Sequence, residues 1–234
     1  MTTQRALILD FGGVVTRTLF ETHDRTEPAL GLAPGTLTWR GPFDPETDPL
    51  WVRMQNREIS ERDYWIERSR EVGCLIGEDW RDMRTFVQRA RGADIEAILR
   101  PQARAAILSA HAAGVRLAIL SNELDLFYGS EMRSRFPLID LFDVIVDATY
   151  TQILKPDARA YEQVIAELGV DRTFCVFVDD QKKNIEGAAA VGLPSVHFDV
   201  LDPAASFAIA LHMLDVLDFS TMPDDGSANE TVCP

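Results

Sequence analysis

The sequence predicts an α/β protein: a parallel β-sheet with helices on both faces, and a helical stretch inserted after the first strand. Three observations carry that expectation. Short apolar runs recur along the chain. Helical patterns separate the later runs. Between about residues 16 and 99 the rhythm stops and a different composition takes over. Apolar runs without polar alternation suit strands buried on both faces, and strands alternating with helices favour a parallel sheet.

The first run, Ala6–Leu9, is short and leads directly into the acid Asp10. The stretch that follows begins with LGLAPGTLTWRGPFDPETDPL, which is rich in turn residues, and becomes helical afterwards. Ser60 and Asp63 have the spacing of a capping box before a helix running to Gly73. Trp39, Trp51, Trp65 and Trp80 all lie in this stretch, where they are expected to fill a small core of their own, with one or two left to line a cleft. The alternation then resumes. Pro101–Ala113 is Ala-rich, has Pro in its first turn and stops at Gly114. Val115–Leu120 and Val144–Val146 read as strands. Asp157 can cap a helix whose apolar face is Tyr161, Val164, Ile165 and Leu168, with Gly169 as its stop. Phe174–Val178 is a fourth strand, Asn184–Val191 a short helix ended by Gly192, and Ser195–Phe198 a fifth strand. From Ser220 the chain is polar and turn-rich and reads as a disordered tail. The expected division is a core of residues 1–16 and 100–219, a helical insert of residues 17–99, and a tail of residues 220–234.

A net charge of −14 and a pI near 4.7 set the chain against nucleic acid and anionic membrane as partners. A phosphorylated small molecule remains compatible, because a lysine or a metal ion overrides the global field at short range. Cys74, Cys175 and Cys233 are odd in number and widely spaced, which fits a reducing cytoplasm better than a disulfide framework. The apolar stretch near the N-terminus is too short for a signal peptide, and no apolar run approaches the roughly 18 residues of a membrane span.

The chemistry is expected at strand ends. Asp10 follows the first run, and Asp179 and Asp180 stand side by side after the fourth. Acids at the carboxyl ends of buried strands need a compensating charge, and in open α/β sheets ligands bind at that edge. Mg²⁺, which takes oxygen ligands, is the natural compensator. Gly12 and Gly13 let the chain after Asp10 turn sharply around a ligand. Ser121 and Asn122 follow the second strand and make a candidate anion cradle. Lys155 is stiffened by Pro156, and Asn184 lies close enough to add an oxygen near the paired acids. Taken singly, each has a plain structural reading: a turn residue, a helix cap, an exposed lysine, two solvated acids.

In their order the residues say more. Asp10, Ser121, Lys155 and Asp179–Asp180 after successive strands resemble the haloacid dehalogenase-like (HAD) superfamily, over roughly residues 5 to 200. LDFGGVVT, ILSNEL, LKPDARAYEQV and VFVDDQKKNIEGAAAVGLPSVHF are similar to the branch of bacterial α-glucose-1-phosphate phosphatases and the N-terminal phosphatase domain of soluble epoxide hydrolase. The resemblance implies a Rossmannoid sheet of order 5-4-1-2-3, a helical cap, and a small phosphate ester as substrate. It implies Asp10 as the nucleophile forming an aspartyl-phosphate, Ser121 and the Asn122 backbone as holders of the phosphoryl oxygens, and Lys155 as the neutralising cation. It implies Mg²⁺ held by Asp10, the Gly12 carbonyl and Asp180, with Asp179 direct or through water. One position departs: phosphatases of this superfamily usually carry a second Asp where this chain has Gly12. A good leaving group, such as an anomeric or acyl phosphate, would need that acid less; Glu123 or His23 are the candidates to replace it. Two other readings stay open at this point: a dehalogenase-type hydrolase using the same Asp10, which has no need of Mg²⁺, and a non-catalytic binding protein on the same scaffold.

Overall fold

In a computed structural model, which describes residues 4–91, 96–129 and 131–216, β1 (Ala6–Leu9) is the middle strand of a five-stranded sheet. The others are β2 (Arg116–Ser121), β3 (Val144–Asp147), β4 (Cys175–Asp179) and β5 (Ser195–His197), in the order β3-β2-β1-β4-β5. All pairs are parallel; Leu9 stands opposite Ile119 of β2 and Val178 of β4. This is the order the resemblance implies, read from the other edge. Strand limits move slightly from the expected ones. β4 starts at Cys175 because Arg172–Phe174 forms a helical turn capped by Asp171, whose side chain accepts from Thr173 N. β3 runs on to Asp147, and β5 stops at His197.

In the long segment between β1 and Pro101 lie α1 (His23–Ala29), α2 (Pro49–Gln55), α3 (Glu61–Leu75) and α4 (Met83–Arg91). The remaining helices are α5 (Pro101–Ala112), α6 (Leu124–Tyr128), α7 (Met132–Arg135), α8 (Ala148–Thr151), α9 (Ala158–Leu168), α10 (Lys182–Ala190) and α11 (Pro203–Met213). The period-two alternation of the strands sorts the two faces. Leu7 and Leu9 join a core with Ile107 of α5 and Phe207 of α11. Ala6 and Ile8 join a second core with Tyr161 and Val164 of α9. Asp157 caps α9 through Arg159 N, and Gly169 ends it at φ 63°.

The segment carrying α1 to α4 packs around a separate core containing Phe20, Trp39, Tyr64, Trp80 and Phe86. Trp39 and Trp80 are buried in it; Trp51 and Trp65 are half-buried on its margin against Phe20 and Tyr64. The capping box at Ser60 and Asp63 forms in both directions, a motif whose N-cap side chain is typically worth about 1 kcal/mol. The helix it starts runs to Leu75 rather than stopping at Gly73. Gly73 serves packing instead: a Cβ there would lie 2.9 Å from both Glu78 O and the Trp80 ring. The buried carboxylate of Asp48 is satisfied by Gly41 N, Trp51 N, the Tyr64 hydroxyl and the Arg68 guanidinium.

His23 packs its ring edge-on against Trp39 in this core, and burial, helped by Arg40, pulls its pKa down to about 4. His23, one of the residues considered as a replacement for an acid at position 12, is thus buried against Trp39 and not presented beside Asp10. Among the described residues no helix is long and apolar enough to cross a membrane. Cys74 and Cys175 are free thiols; the tail and Cys233 lie outside the described residues.

Candidate active site

Asp10 follows the last residue of β1, and its backbone N–H donates to Val178 O of β4 at 2.9 Å, so the two strand ends are tied together. The chain then makes a wide turn over Phe11–Val15, closed by Thr16 N donating to Phe11 O at 2.9 Å. The two glycines in it differ. Gly12 has φ −74° and ψ 122°, an ordinary extended conformation, and nothing lies within 4 Å of where a Cβ would stand. Gly13 has φ 86°, and a Cβ there would lie 2.5 Å from Asp180 Oδ2. Only Gly13 requires glycine. Gly13→Ala is therefore expected to push the Asp180 carboxylate aside, weakening divalent-cation affinity and hydrolysis by about 10–100-fold. Calorimetric titration and phosphate release check this; wild-type values for both would mean that the turn absorbs the methyl without moving Asp180.

Lys155 is the centre of charge. It is buried, and its Nζ lies 2.7 Å from Asp10 Oδ1 and 2.7 Å from Asp179 Oδ2. The aim comes largely from Asn122, whose Oδ1 accepts from Lys155 N at 2.7 Å and whose Nδ2 donates to Lys155 O at 3.1 Å. The Asn122 side chain thus clamps the backbone of a residue from another loop. The Lys155–Pro156 peptide is cis. Burial opposes the lysine's charge, but Asp10 and Asp179 outweigh it and raise its pKa.

The paired acids after β4 do different things. Asp179 is fully buried and both its oxygens are engaged: Oδ1 accepts from Gln181 N at 2.8 Å, Oδ2 takes Lys155, and Asn184 Nδ2 donates to both at 3.0 Å. Asn184 therefore presents its NH₂ to Asp179, while its own Oδ1 is buried without a hydrogen-bond partner. A carboxylate only accepts, so the amide turns its donor inward. Asp180 Oδ1, in contrast, is buried with no hydrogen-bond partner, while the Asp180 carbonyl meets His197 Nε2 at 3.0 Å.

Burial pushes the Asp10 pKa up to about 6, with Lys155 opposing the rise and Asp179 adding to it. Burial, then Asp179 and Asp10, raises Asp180 well above the carboxylate range. Three carboxylates around one ammonium leave negative charge uncompensated. Oxygens of Asp10, Asp179 and Asp180 all lie within 4.8 Å of one another. The donor set is all oxygen, and one of those oxygens is buried without a partner, so the cluster fits a hard divalent cation.

Ser121 ends β2 beside β1, and its Oγ accepts weakly from Glu123 N at 3.4 Å. Glu123 is half-buried, and burial followed by the nearby Glu61 raises its pKa. Glu61, in the first turn of α3, reaches across to the start of α10, accepting from its N-cap Gln181 Nε2 at 2.7 Å and from Lys183 Nζ at 3.0 Å. Sequence reading did not single out Glu61, Gln181 or Lys183 for this contact. No local pattern marks a contact between residues 120 positions apart.

A parallel α/β sheet that gathers three carboxylates and a buried lysine at its carboxyl edge suits hydrolytic chemistry. The chain belongs to the haloacid dehalogenase-like hydrolase family, whose model matches residues 4–192. It is 34% identical over 192 residues to Phosphatase MT3486 of Mycobacterium tuberculosis (strain CDC 1551 / Oshkosh), spanning 80% of this chain and 84% of that one. It is 26% identical to Sesquiterpene phosphatase astK of Aspergillus oryzae, over 84% and 90% of the two chains. It is 28% identical to (S)-2-haloacid dehalogenase of Pseudomonas sp. (strain YL), over 76% and 77%. Among solved structures, a dehalogenase superposes with a TM-score of 0.56 at 21% identity, covering 85% of this chain and 86% of the other, which speaks to the fold alone.

Proposed function

We propose that this protein is a Mg²⁺-dependent phosphohydrolase acting on a small phosphorylated metabolite through an aspartyl-phosphate on Asp10. The observation that carries the reading is the unpartnered, buried Asp180 Oδ1 beside the Asp10–Lys155–Asp179 triad. A dehalogenase needs the carboxylate nucleophile and the lysine but no cation; in that chemistry Asp180 would serve as the base that activates water on the ester intermediate, whereas an all-oxygen cluster of three acids suits a cation. The relatives named as phosphatases support the same class.

Asp10, the Gly12 carbonyl and Asp180 would hold Mg²⁺, with Asp179 contributing directly or through water. When bound, the ion would offset the charge of the phosphoryl dianion. The rest falls to the chain. The Asp10 carboxylate attacks phosphorus, a P–O bond to Asp10 forms, and the bond to the leaving oxygen breaks with its electron pair. Lys155 keeps the nucleophile in line and lowers the repulsion between two anions. Ser121 and the Asn122 backbone receive the phosphoryl oxygens. Water then cleaves the aspartyl-phosphate, returning the Asp10 carboxylate and releasing phosphate. The described part of residues 17–99 would act as a cap over the sheet, and Glu61 bridges the two. A net charge of −14 fits a small-molecule substrate in the cytoplasm better than nucleic acid or an anionic membrane.

A panel of phosphate esters assayed with Mg²⁺ and with a chelator tests the reading. Phosphate release is expected with Mg²⁺ only, together with a calorimetric Mg²⁺ site that Asp180→Ala abolishes. Halide release from 2-haloacids in the presence of chelator would establish the dehalogenase instead. Mg²⁺ binding without turnover of any ester would establish a binding protein.

A further inference from the structure

Arg100 lies far in sequence from every residue assigned above, and no motif draws attention to it. It is buried at the chain's return from the cap to the core, just before α5. Its guanidinium makes a two-pronged pair with Glu21, Nη1 to Oε1 at 2.7 Å and Nη2 to Oε2 at 2.8 Å. The same Nη2 donates to Gly13 O at 2.9 Å, and Arg100 N donates to Val15 O at 3.0 Å. Glu21 Oε2 also accepts from Thr18 N at 2.7 Å and Thr18 Oγ1 at 2.9 Å. The two crossings between core and cap lie side by side here, with Thr16 bridged to Leu99 and Arg17 N donating to Ile98 O at 2.8 Å.

One side chain therefore touches the outgoing crossing, the returning crossing and the turn after the nucleophile. The place it grips is informative. Gly13 is the residue whose missing side chain makes room for Asp180, and its peptide adjoins Gly12, whose carbonyl the proposed function gives to the metal. A buried, bidentate arginine is costly to desolvate, and a hinge that needed only stiffness could be held by apolar packing.

We infer that Arg100, held by Glu21, is a positioning residue: it fixes the Gly13 peptide, and with it the Gly12 carbonyl and the opening for Asp180, to the root of the cap. The inference rests on the phosphohydrolase reading. Its consequence is mechanical. Movement of the cap about the two crossings is felt at the turn that carries the nucleophile, through the Arg100–Glu21 fork and the hydrogen bond from Arg100 Nη2 to Gly13 O, and not through the substrate.

The test uses the full-length protein with Arg100→Lys and Glu21→Gln. Arg100→Lys keeps the charge but loses the fork, and Glu21→Gln keeps the shape but loses the charge; each is the fallback should the other fold poorly. Mg²⁺ affinity by calorimetry, kcat and KM on p-nitrophenyl phosphate, and Tm are measured for each. The expected result is a loss of Mg²⁺ affinity and of kcat of about 10–100-fold, the scale of lost support behind a metal ligand, with KM within about threefold of wild type. A drop in Tm with Mg²⁺ affinity and kcat unchanged would overturn the inference and leave Arg100 a hinge brace. Wild-type protein that neither binds Mg²⁺ nor hydrolyses the ester would overturn the reading beneath it. Wild-type protein that does both, beside variants that match it, would overturn the inference alone.

Discussion

Asp10→Asn is expected to abolish phosphate release while leaving the fold intact. The substitution preserves volume and keeps an oxygen that can accept from Lys155 Nζ, now 2.7 Å from Asp10 Oδ1. What it removes is the anion that attacks phosphorus. Loss of a covalent nucleophile acts on the scale of about 10⁴-fold or more in kcat. Folding does not oppose the change, because the native carboxylate is buried and repelled by Asp179 and Asp180, so a neutral amide relieves charge crowding. Phosphate release on the best ester of the panel, with circular dichroism to confirm the fold, measures the effect. Turnover within tenfold of wild type would remove Asp10 from the nucleophile role and shift attention to a metal-activated water.

Gly12→Asp is expected to have the largest effect in the opposite direction. Position 12 is where related phosphatases usually carry a general acid, and such assistance is typically worth about 10²–10⁴-fold. On the sequence alone it was open whether glycine stands there because the backbone demands it. The structure answers that: φ is −74°, ψ is 122°, the position is exposed and nothing lies within 4 Å of a Cβ. An aspartate fits the turn. The wild-type enzyme, lacking the acid, should favour esters with leaving groups of low pKa, and the variant should gain most on poor ones. The expected gain in kcat/KM is about 10²-fold for simple alkyl phosphates and within about threefold for p-nitrophenyl phosphate. A wild-type rate independent of leaving-group pKa would mean that another donor already supplies the proton, and Glu123 beside Ser121 is the residue to mutate next. His23 is buried against Trp39 and is the weaker candidate.

The contrast between adjacent glycines shows why some of the site was legible and some was not. DFGGVVT presents Gly12 and Gly13 alike. Their difference comes from Asp180, which stands 167 residues away and meets one of them and not the other. The same holds for Asn122. Its place after β2 suggested a backbone donor to phosphate, and the structure adds a side chain that clamps Lys155 from both ends of its peptide unit. Asn184 read as a metal ligand by spacing and proved to be a donor to Asp179, because the competing claim of a buried carboxylate is invisible in a one-dimensional pattern.

What the sequence determined by itself is whatever local chemistry dictates. Apolar runs too short for helices and too continuous for half-exposed strands specified β1, β2 and β4 to within a residue or so. Ser60 with Asp63, and Asp157 with Gly169, specified where α3 and α9 begin and where α9 ends, because caps are satisfied within a few residues. The carboxyl ends of those strands then placed Asp10, Ser121, Asp179 and Asp180 at one edge of the sheet. Only the tertiary structure decided how the acids divide their work: Asp179 saturated by Lys155, Asn184 and Gln181, Asp180 left open. Only the tertiary structure joined Glu61 to Gln181 and Arg100 to Glu21 and Gly13 beside Asp10. These contacts are made between side chains brought together from distant parts of the chain, and their energy depends on burial and on which partner is nearest. Neither quantity exists until the sheet and the cap have packed.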